Sequence, residues 1–358
     1  MIPYVLLGVT VYLVLLTVVK SFWITSSHTT LCFDCLYIAQ VEQLISDSSC
    51  VSLYANEYYC FGQGADFMNV PVLGIWPDDR VSIRECEQPV AWHLNAISDK
   101  SNLGFGQTYA YDTPQAQTSV YILDTWLDTE HPEFQGRASV GATFASGRND
   151  HATHVAGLIG STSYGVNKHA RLISVQVLDD KGSGLWSTII KGLAWISTRN
   201  ASLINISIGG PKNTAINQVL RIMERHGWKI VVAAGNENQD ACNTSPAGSP
   251  DVVAVAAYNV LKQQSDFSNW GECIDIQSPG QDILSTLPDN QAGYLSGTSM
   301  ASPIVAGVWS LHPDWQINKL KSAALNNQLQ SVSHGTINLI VYAPHSAVCL
   351  LQNRLRVE

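Results

Sequence analysis

The chain has 358 residues, 46% of them hydrophobic and only 14% charged, so it is long enough for two domains and able to bury a large core; general disorder is excluded. Its net charge of −9 argues against nucleic acid as a partner, because the field around the chain repels phosphates. Eight cysteines fit an oxidising compartment. They do not form a metal-ligand cluster, since Cys32-x-x-Cys35 lacks a matching second pair.

Residues 2–19 carry no charge and are followed by Lys20. The run is long enough for a membrane anchor, yet it sits where a secretory signal would. No basic start and no small-x-small cleavage site accompany it. The expectation is a cleaved signal over residues 1–23 and a secreted protein, with an uncleaved anchor and a membrane-tethered protein as the alternative; either way the chain enters the secretory route. Residues 24–87 then form a separate cysteine-containing region, residues 88–350 the main domain, and residues 351–358 a tail.

Within the main domain, apolar runs alternate with helical stretches. Strands are expected near residues 120–123, 172–177, 203–208, 229–233 and 252–256. Helices are expected near residues 151–160, 187–198, 214–226 and 299–311. This alternation predicts a mostly parallel sheet covered on both faces, a three-layer α/β/α sandwich. The first strand ends in Asp124, at the sheet edge where open α/β folds place their chemistry. Asp150-His151-Ala152-Thr153-His154 then puts an imidazole at a helix head, where it can accept a proton if a carboxylate holds its tautomer. His154 lies about one turn further on and is expected to be structural. Residues 230–236 form another buried run, ending in Asn236, whose amide can donate to an oxyanion. Gly297-Thr298-Ser299-Met300-Ala301-Ser302-Pro303 places a hydroxyl at the head of an apolar helix, where free N–H groups create positive potential. Taken singly, each of these is also an ordinary cap or turn residue. Four in one chain are not.

The order Asp, His, Ser is that of subtilisin, and the quoted motifs resemble a subtilisin-like serine protease nearest the proteinase K branch. Further matches include Tyr164-Gly165-Val166, Phe267-Ser268-Asn269-Trp270-Gly271 and Ser278-Pro279-Gly280, so the resemblance spans about residues 89–315. It implies a serine endopeptidase acting through an acyl-enzyme, with Asp124, His151 and Ser299 as the triad and Asn236 as the oxyanion donor. Gly182-Ser183-Gly184 and Ser207-Ile208-Gly209-Gly210 correspond to the two strands that clamp an extended peptide. Their glycines are read as room for backbone to approach backbone. Ala233-Ala234-Gly235 corresponds to a wall of the first specificity pocket, and its small side chains predict cleavage after bulky apolar or aromatic residues. Trp186 is expected either to cover a neighbouring pocket or simply to pack.

Three residues depart from the family pattern, which has glycine where this chain has Trp126, Asp150 and Ala152. An alanine at positive φ would be strained by roughly 1–2 kcal/mol, and the Asp150 charge would raise the imidazole pKa. They motivate an alternative, a binding or scaffolding protein of this fold with weak or no turnover. The resemblance also implies a Cys242–Cys273 bridge, while the pairing of Cys32, Cys35, Cys50, Cys60, Cys86 and Cys349 stays open. Pro250, Val252 and Asp275 match a structural Ca²⁺ site built from two carbonyls and a carboxylate, with no catalytic cofactor. Residues 72–81 resemble the end of an inhibitory propeptide and residues 89–94 a mature N-terminus. A cysteine-stapled module that is never removed is the competing reading. Asn200 and Asn243 are expected as surface glycan acceptors, and Asn205 as a buried match to the same pattern. The implied partners are peptide substrates and the chain's own prosegment, with a monomeric enzyme touching membrane only through an uncleaved N-terminal segment.

Overall fold

The computed structural model describes residues 90–98, 109–111, 117–200 and 202–344 in full, together with the backbone of strands lying between residues 23 and 87. The apolar run at 2–19, Cys349 and the tail at 351–358 fall outside the described residues. Contacts divide the chain into Met1–Ile83 and Arg84–Glu358.

In the first unit, β1 (Trp23–Ser26) and β2 (Thr29–Cys32) form an antiparallel hairpin. Strands β3 (Leu36–Val41), β4 (Ser49–Tyr54), β5 (Glu57–Gln63) and β6 (Val72–Pro77) form an antiparallel sheet in the order β4-β5-β3-β6. The register sets Cys50 directly opposite Cys60.

The second unit opens with β7 (Cys86–Glu87), helix α1 (Trp92–Ser98) and β8 (Tyr109–Ala110), which pairs with β7. Its main sheet has nine strands in the order β10-β11-β9-β12-β14-β16-β17-β21-β20. These are β9 (Ser119–Asp124), β10 (Ala138–Thr143), β11 (Arg171–Gln176), β12 (Leu203–Ile206), β14 (Lys229–Ala233), β16 (Val253–Tyr258), β17 (Ile276–Pro279), β20 (Leu325–Asn326) and β21 (Leu339–Ile340). All pairings are parallel except β20 with β21. Two small antiparallel pairs complete the unit: β13 (Gly210–Pro211) with β15 (Thr244–Ser245), and β18 (Ile283–Leu287) with β19 (Gln291–Leu295).

The central strands are apolar on both faces, which is what parallel strands under two helical layers require. Alternate residues feed two cores. Val120, Ile122, Val231, Val253 and Val255 face the first, with helices α2 (His151–Gly160) and α5 (Thr298–Leu311). Tyr121, Leu123, Ile230, Val232 and Ala254 face the second, with α3 (Trp186–Ser197) and α4 (Thr214–Arg225). Helix α4 follows the solvent-facing pattern. Asn213 caps it by accepting the N–H groups of Ala215 and Ile216; Ile216, Leu220 and Met223 are buried, at i, i+4 and i+7, with Val219 partly buried beside them. Helices α2 and α5 are buried nearly all round, so both heads are fixed by packing. The short α6 (Ile317–Ala323) follows α5.

The structure is thus the three-layer α/β/α sandwich that the alternation predicts. One boundary differs. β12 stops at Ile206, two residues before the expected end, and Ser207 and Ile208 leave the sheet.

Candidate active site

Three segments reach the carboxyl edge of the sheet side by side, because β9, β12 and β14 are neighbours. Asp124 closes β9 and is fully buried. His151 opens α2, whose first turn is not capped by the Asp150 carboxylate. Instead Asn149 Oδ1 accepts the His151 N–H at 3.0 Å and Thr125 Oγ1 accepts that of Ala152 at 3.0 Å. The two side chains meet: His151 Nδ1 donates to Asp124 Oδ1 at 2.8 Å, and the same oxygen accepts the Thr125 N–H at 2.6 Å. Burial alone would lower the His151 pKa, but the Asp124 charge and its hydrogen bond outweigh burial and hold it above the usual imidazole value. Asp150 is exposed and is not among the causes of that shift.

Ser299 lies in the first turn of α5, which packs directly against α2. Its hydroxyl donates to the Ser207 carbonyl at 2.9 Å, and the Ser207 hydroxyl donates back to the Ser299 carbonyl at 3.0 Å. Pro303 explains the second bond. It stands four residues on, inside the helix, and has no N–H for the Ser299 carbonyl; Ser207 supplies the missing donor. Ser207 is held in turn by Asn205 Nδ2, which donates to its hydroxyl at 2.8 Å, and by the Ser302 hydroxyl at 2.9 Å.

Asn236 follows β14. Its Oδ1 accepts both the backbone N–H and the hydroxyl of Thr298, at 2.8 and 2.9 Å, so the amide nitrogen is left free to serve the cavity. The Thr298 hydroxyl also accepts the Gly235 N–H at 3.0 Å. Gly235 is forced to be glycine twice over: its φ is +105°, and a Cβ would lie 2.3 Å from Asn269 Nδ2. Asn269 is fully buried and laces the loop together, accepting from the Glu237 and Gln239 N–H groups and donating to the Ala234 carbonyl and Glu237 Oε2. Sequence reasoning gave neither Thr298 nor Asn269 a role.

A cavity of about 480 Å³ is lined by Ile208, Gly209, Gly210, Ala233, Ala234, Gly235, Asn236 and Ser299. Most of the expected substrate residues therefore share one wall with the serine and the amide. Lys212 and Glu237 also line it, each held by a partner of its own: Lys212 Nζ donates to the Cys242 carbonyl at 2.8 Å and Glu237 accepts from Asn269. Gly182, Ser183 and Gly184 stand apart in an exposed loop after β11, pinned by Asp179 Oδ1, which accepts the N–H groups of Lys181 and Ser183. The glycines also answer to the protein's own packing. Gly182 has φ +72°, a Cβ at Gly184 would lie 2.7 Å from the Val177 carbonyl, and one at Gly210 would lie 3.2 Å from the Trp186 ring. A Cβ at Gly209 would meet only the Ser245 carbonyl at 3.5 Å, an ordinary contact, and Trp186 packs on the backbone of the second segment.

Of the departures, Ala152 sits inside α2 without positive φ and is fully buried, so it carries no backbone strain. Trp126 is half-buried under the Arg148 guanidinium, 4.2 Å from the ring centroid, and Arg148 reaches Asp289 at 3.1 Å. His154 is buried, directs Nε2 at the carbonyls of Ile283 and Gly293, and has its pKa lowered by burial to about 4. It ties α2 to the β18–β19 hairpin, as a structural histidine should. Asn205 is buried, while Asn200 and Asn243 are exposed. Cys242 and Cys273 form a disulfide across 31 residues.

The residues matched to calcium do not fit a calcium ion. Both oxygens of Asp275 are taken, Oδ1 by Lys321 Nζ at 2.5 Å and Oδ2 by the Ala254 N–H at 2.8 Å. An ammonium stands against the carboxylate that a divalent ion would need.

A carboxylate-oriented imidazole, a serine at the head of a buried helix and an amide on one cavity wall define a serine hydrolase. Comparison with known proteins narrows the class. Residues 115–340 match the model of the subtilase family, Peptidase_S8. The chain is 40% identical over 271 residues to a cuticle-degrading protease of Metarhizium anisopliae, covering 70% of this chain and 69% of that protein. It is 37% identical over 315 residues to proteinase R of Parengyodontium album, covering 81% of each. A cold-adapted subtilisin-like serine proteinase of known crystal structure superposes with a TM-score of 0.69 at 36% identity, over 72% of this chain and all of that one. The chain belongs to the subtilase family, on its proteinase K-like side, and is a serine endopeptidase.

Proposed function

We propose that Ser299 is the nucleophile, His151 its general base and acid, Asp124 the group that orients His151, and Asn236 the side-chain oxyanion donor. The observation that carries this reading is the 2.8 Å Asp124–His151 bond at the same sheet edge as Ser299 and Asn236. When a peptide enters, the Ser299 hydroxyl turns from Ser207 toward His151 Nε2 and loses its proton there. Its oxygen bonds to the peptide carbonyl carbon. The oxyanion so formed is held by Asn236 Nδ2 and the Ser299 N–H; the side-chain donor alone is worth roughly 3–4 kcal/mol in subtilisin, where that figure was measured. Collapse breaks the C–N bond as His151 returns the proton to the leaving amine. Water, deprotonated by His151, then attacks the acyl-enzyme; the acid product leaves and Ser299 regains its proton. No cofactor takes part in these steps.

The substrate lies extended between the Gly182–Gly184 loop and the Ser207–Gly210 segment, as an added strand. Its P1 side chain fills the cavity walled by Ala233, Ala234 and Gly235, which suits bulky apolar and aromatic groups. The enzyme enters the secretory route through residues 1–23 and works as a monomer. Residues 24–87 serve as a prosegment that inhibits the enzyme until cut near residues 82–90.

A fluorophosphonate probe tests the assignment. Labelling of the secreted enzyme that disappears in Ser299→Ala is expected; labelling that survives the change overturns it. N-terminal sequencing tests the processing: a start near residues 82–90 is expected, and a start near residue 24 overturns the prosegment.

A further inference from the structure

The Asp275 carboxylate joins three elements. Asp275 stands immediately before β17, its Oδ2 accepts the N–H of Ala254 in β16, and its Oδ1 meets the ammonium of Lys321 in the last turn of α6. The ion pair is mostly withdrawn from water, with side-chain exposures of 33% for Lys321 and 22% for Asp275. The turn carrying Pro250 and Val252 borders a cavity of about 240 Å³ whose lining also includes Gln316 and Ile317, at the head of the same helix. The head of helix α6 thus borders the same cavity as the carbonyl-bearing turn, and its last turn delivers a cation to the Asp275 carboxylate.

We propose that the Lys321 ammonium is a tethered cation standing in for a bound calcium ion: it neutralises Asp275 and fixes α6 to the end of the sheet. A calcium ion needs six to eight oxygens, and Asp275 could supply its share only if the ammonium left first. A cation carried on the chain is not lost to dilution or to a chelator. Stability at this corner of the fold is then independent of calcium, even for an enzyme working where calcium is scarce or sequestered.

The test is thermal unfolding of the purified enzyme, inactivated with phenylmethylsulfonyl fluoride to prevent autolysis, in excess EDTA and in millimolar calcium. Wild type, Asp275→Asn, Lys321→Met and the double variant are compared. Each single change is expected to lower Tm by about 1–4 °C, and by the same amount in both buffers. The double variant should melt no lower than the worse single one, because both remove one interaction. The inference is overturned if the gap between wild type and Asp275→Asn opens only in calcium, or if Lys321→Met melts with wild type. Comparing gaps rather than absolute Tm values keeps the result clear of any other calcium effect. Should Asp275→Asn fail to fold, Lys321→Met decides alone: a loss equal in both buffers supports the tether, and no loss refutes it.

Discussion

Thr298→Val probes whether the Asn236 amide is aimed by its neighbour. The substitution keeps the side-chain volume in a fully buried site and removes one oxygen, and with it two hydrogen bonds, to Asn236 Oδ1 at 2.9 Å and from the Gly235 N–H at 3.0 Å. The backbone bond from the Thr298 N–H to Asn236 Oδ1 remains, so the amide loses one of its two anchors. A neutral hydrogen bond contributes about 0.5–1.5 kcal/mol net. If that sum is what keeps Nδ2 on the oxyanion, kcat falls roughly 2–12-fold with KM little changed. The orphaned Gly235 N–H separately costs about 1–3 kcal/mol of stability, a Tm drop of roughly 2–12 °C. Steady-state kinetics on a peptide anilide, in a cycle with Asn236→Ala, separates the two effects. Once Asn236 is gone, Thr298→Val should change Tm but hardly change kcat. An equal kcat loss in both backgrounds would refute the aiming role.

Other outcomes follow from the same geometry. Because Asp124 holds the His151 pKa above 6.5, the acid limb of kcat/KM should fall above that pH, and Asp124→Asn should move the limb down while reducing kcat. His93 and His154 have folded-state pKa values near 4 against 6.5 unfolded, so the unfolded chain binds more protons between those values. Stability should fall as the pH is lowered through that window, by up to about 1.4 kcal/mol per pH unit for each, and a Tm flat from pH 6.5 to 4.5 would contradict it. Cys242→Ser with Cys273→Ser opens a 31-residue loop and should cost about 3–4 kcal/mol in the chain-entropy account, read from denaturant midpoints.

The sheet and its two helical layers were legible, and the four residues proposed for the site stood out, because each rests on a local pattern: an apolar run with a polar end, or a helix head. The Asp124–His151 contact joins two such ends. What stayed hidden depends on partners far along the chain. Thr298 acts on Asn236 across 62 residues, and Asn269 on Glu237 across 32; neither stands out from ordinary polar residues in a loop. Asp275 was misread for the same reason, since the lysine that occupies it comes 46 residues later. The edge strand β10 escaped notice because none of its six residues is buried and most are small. The end of β12 was overrun because Ser207-Ile208 continues the apolar run while its hydrogen bonds go to Ser299.

Pro303 has an effect that reaches beyond its own turn. By withholding one rung of the helical ladder, it hands the backbone of residue 299 to a side chain following a neighbouring strand. The hydroxyl proposed to attack is thereby referenced to the segment after β12 as well as to the packed head of α5. Rotation of that hydroxyl away from the Ser207 carbonyl leaves the second tie, from the Ser207 hydroxyl to the Ser299 carbonyl, in place.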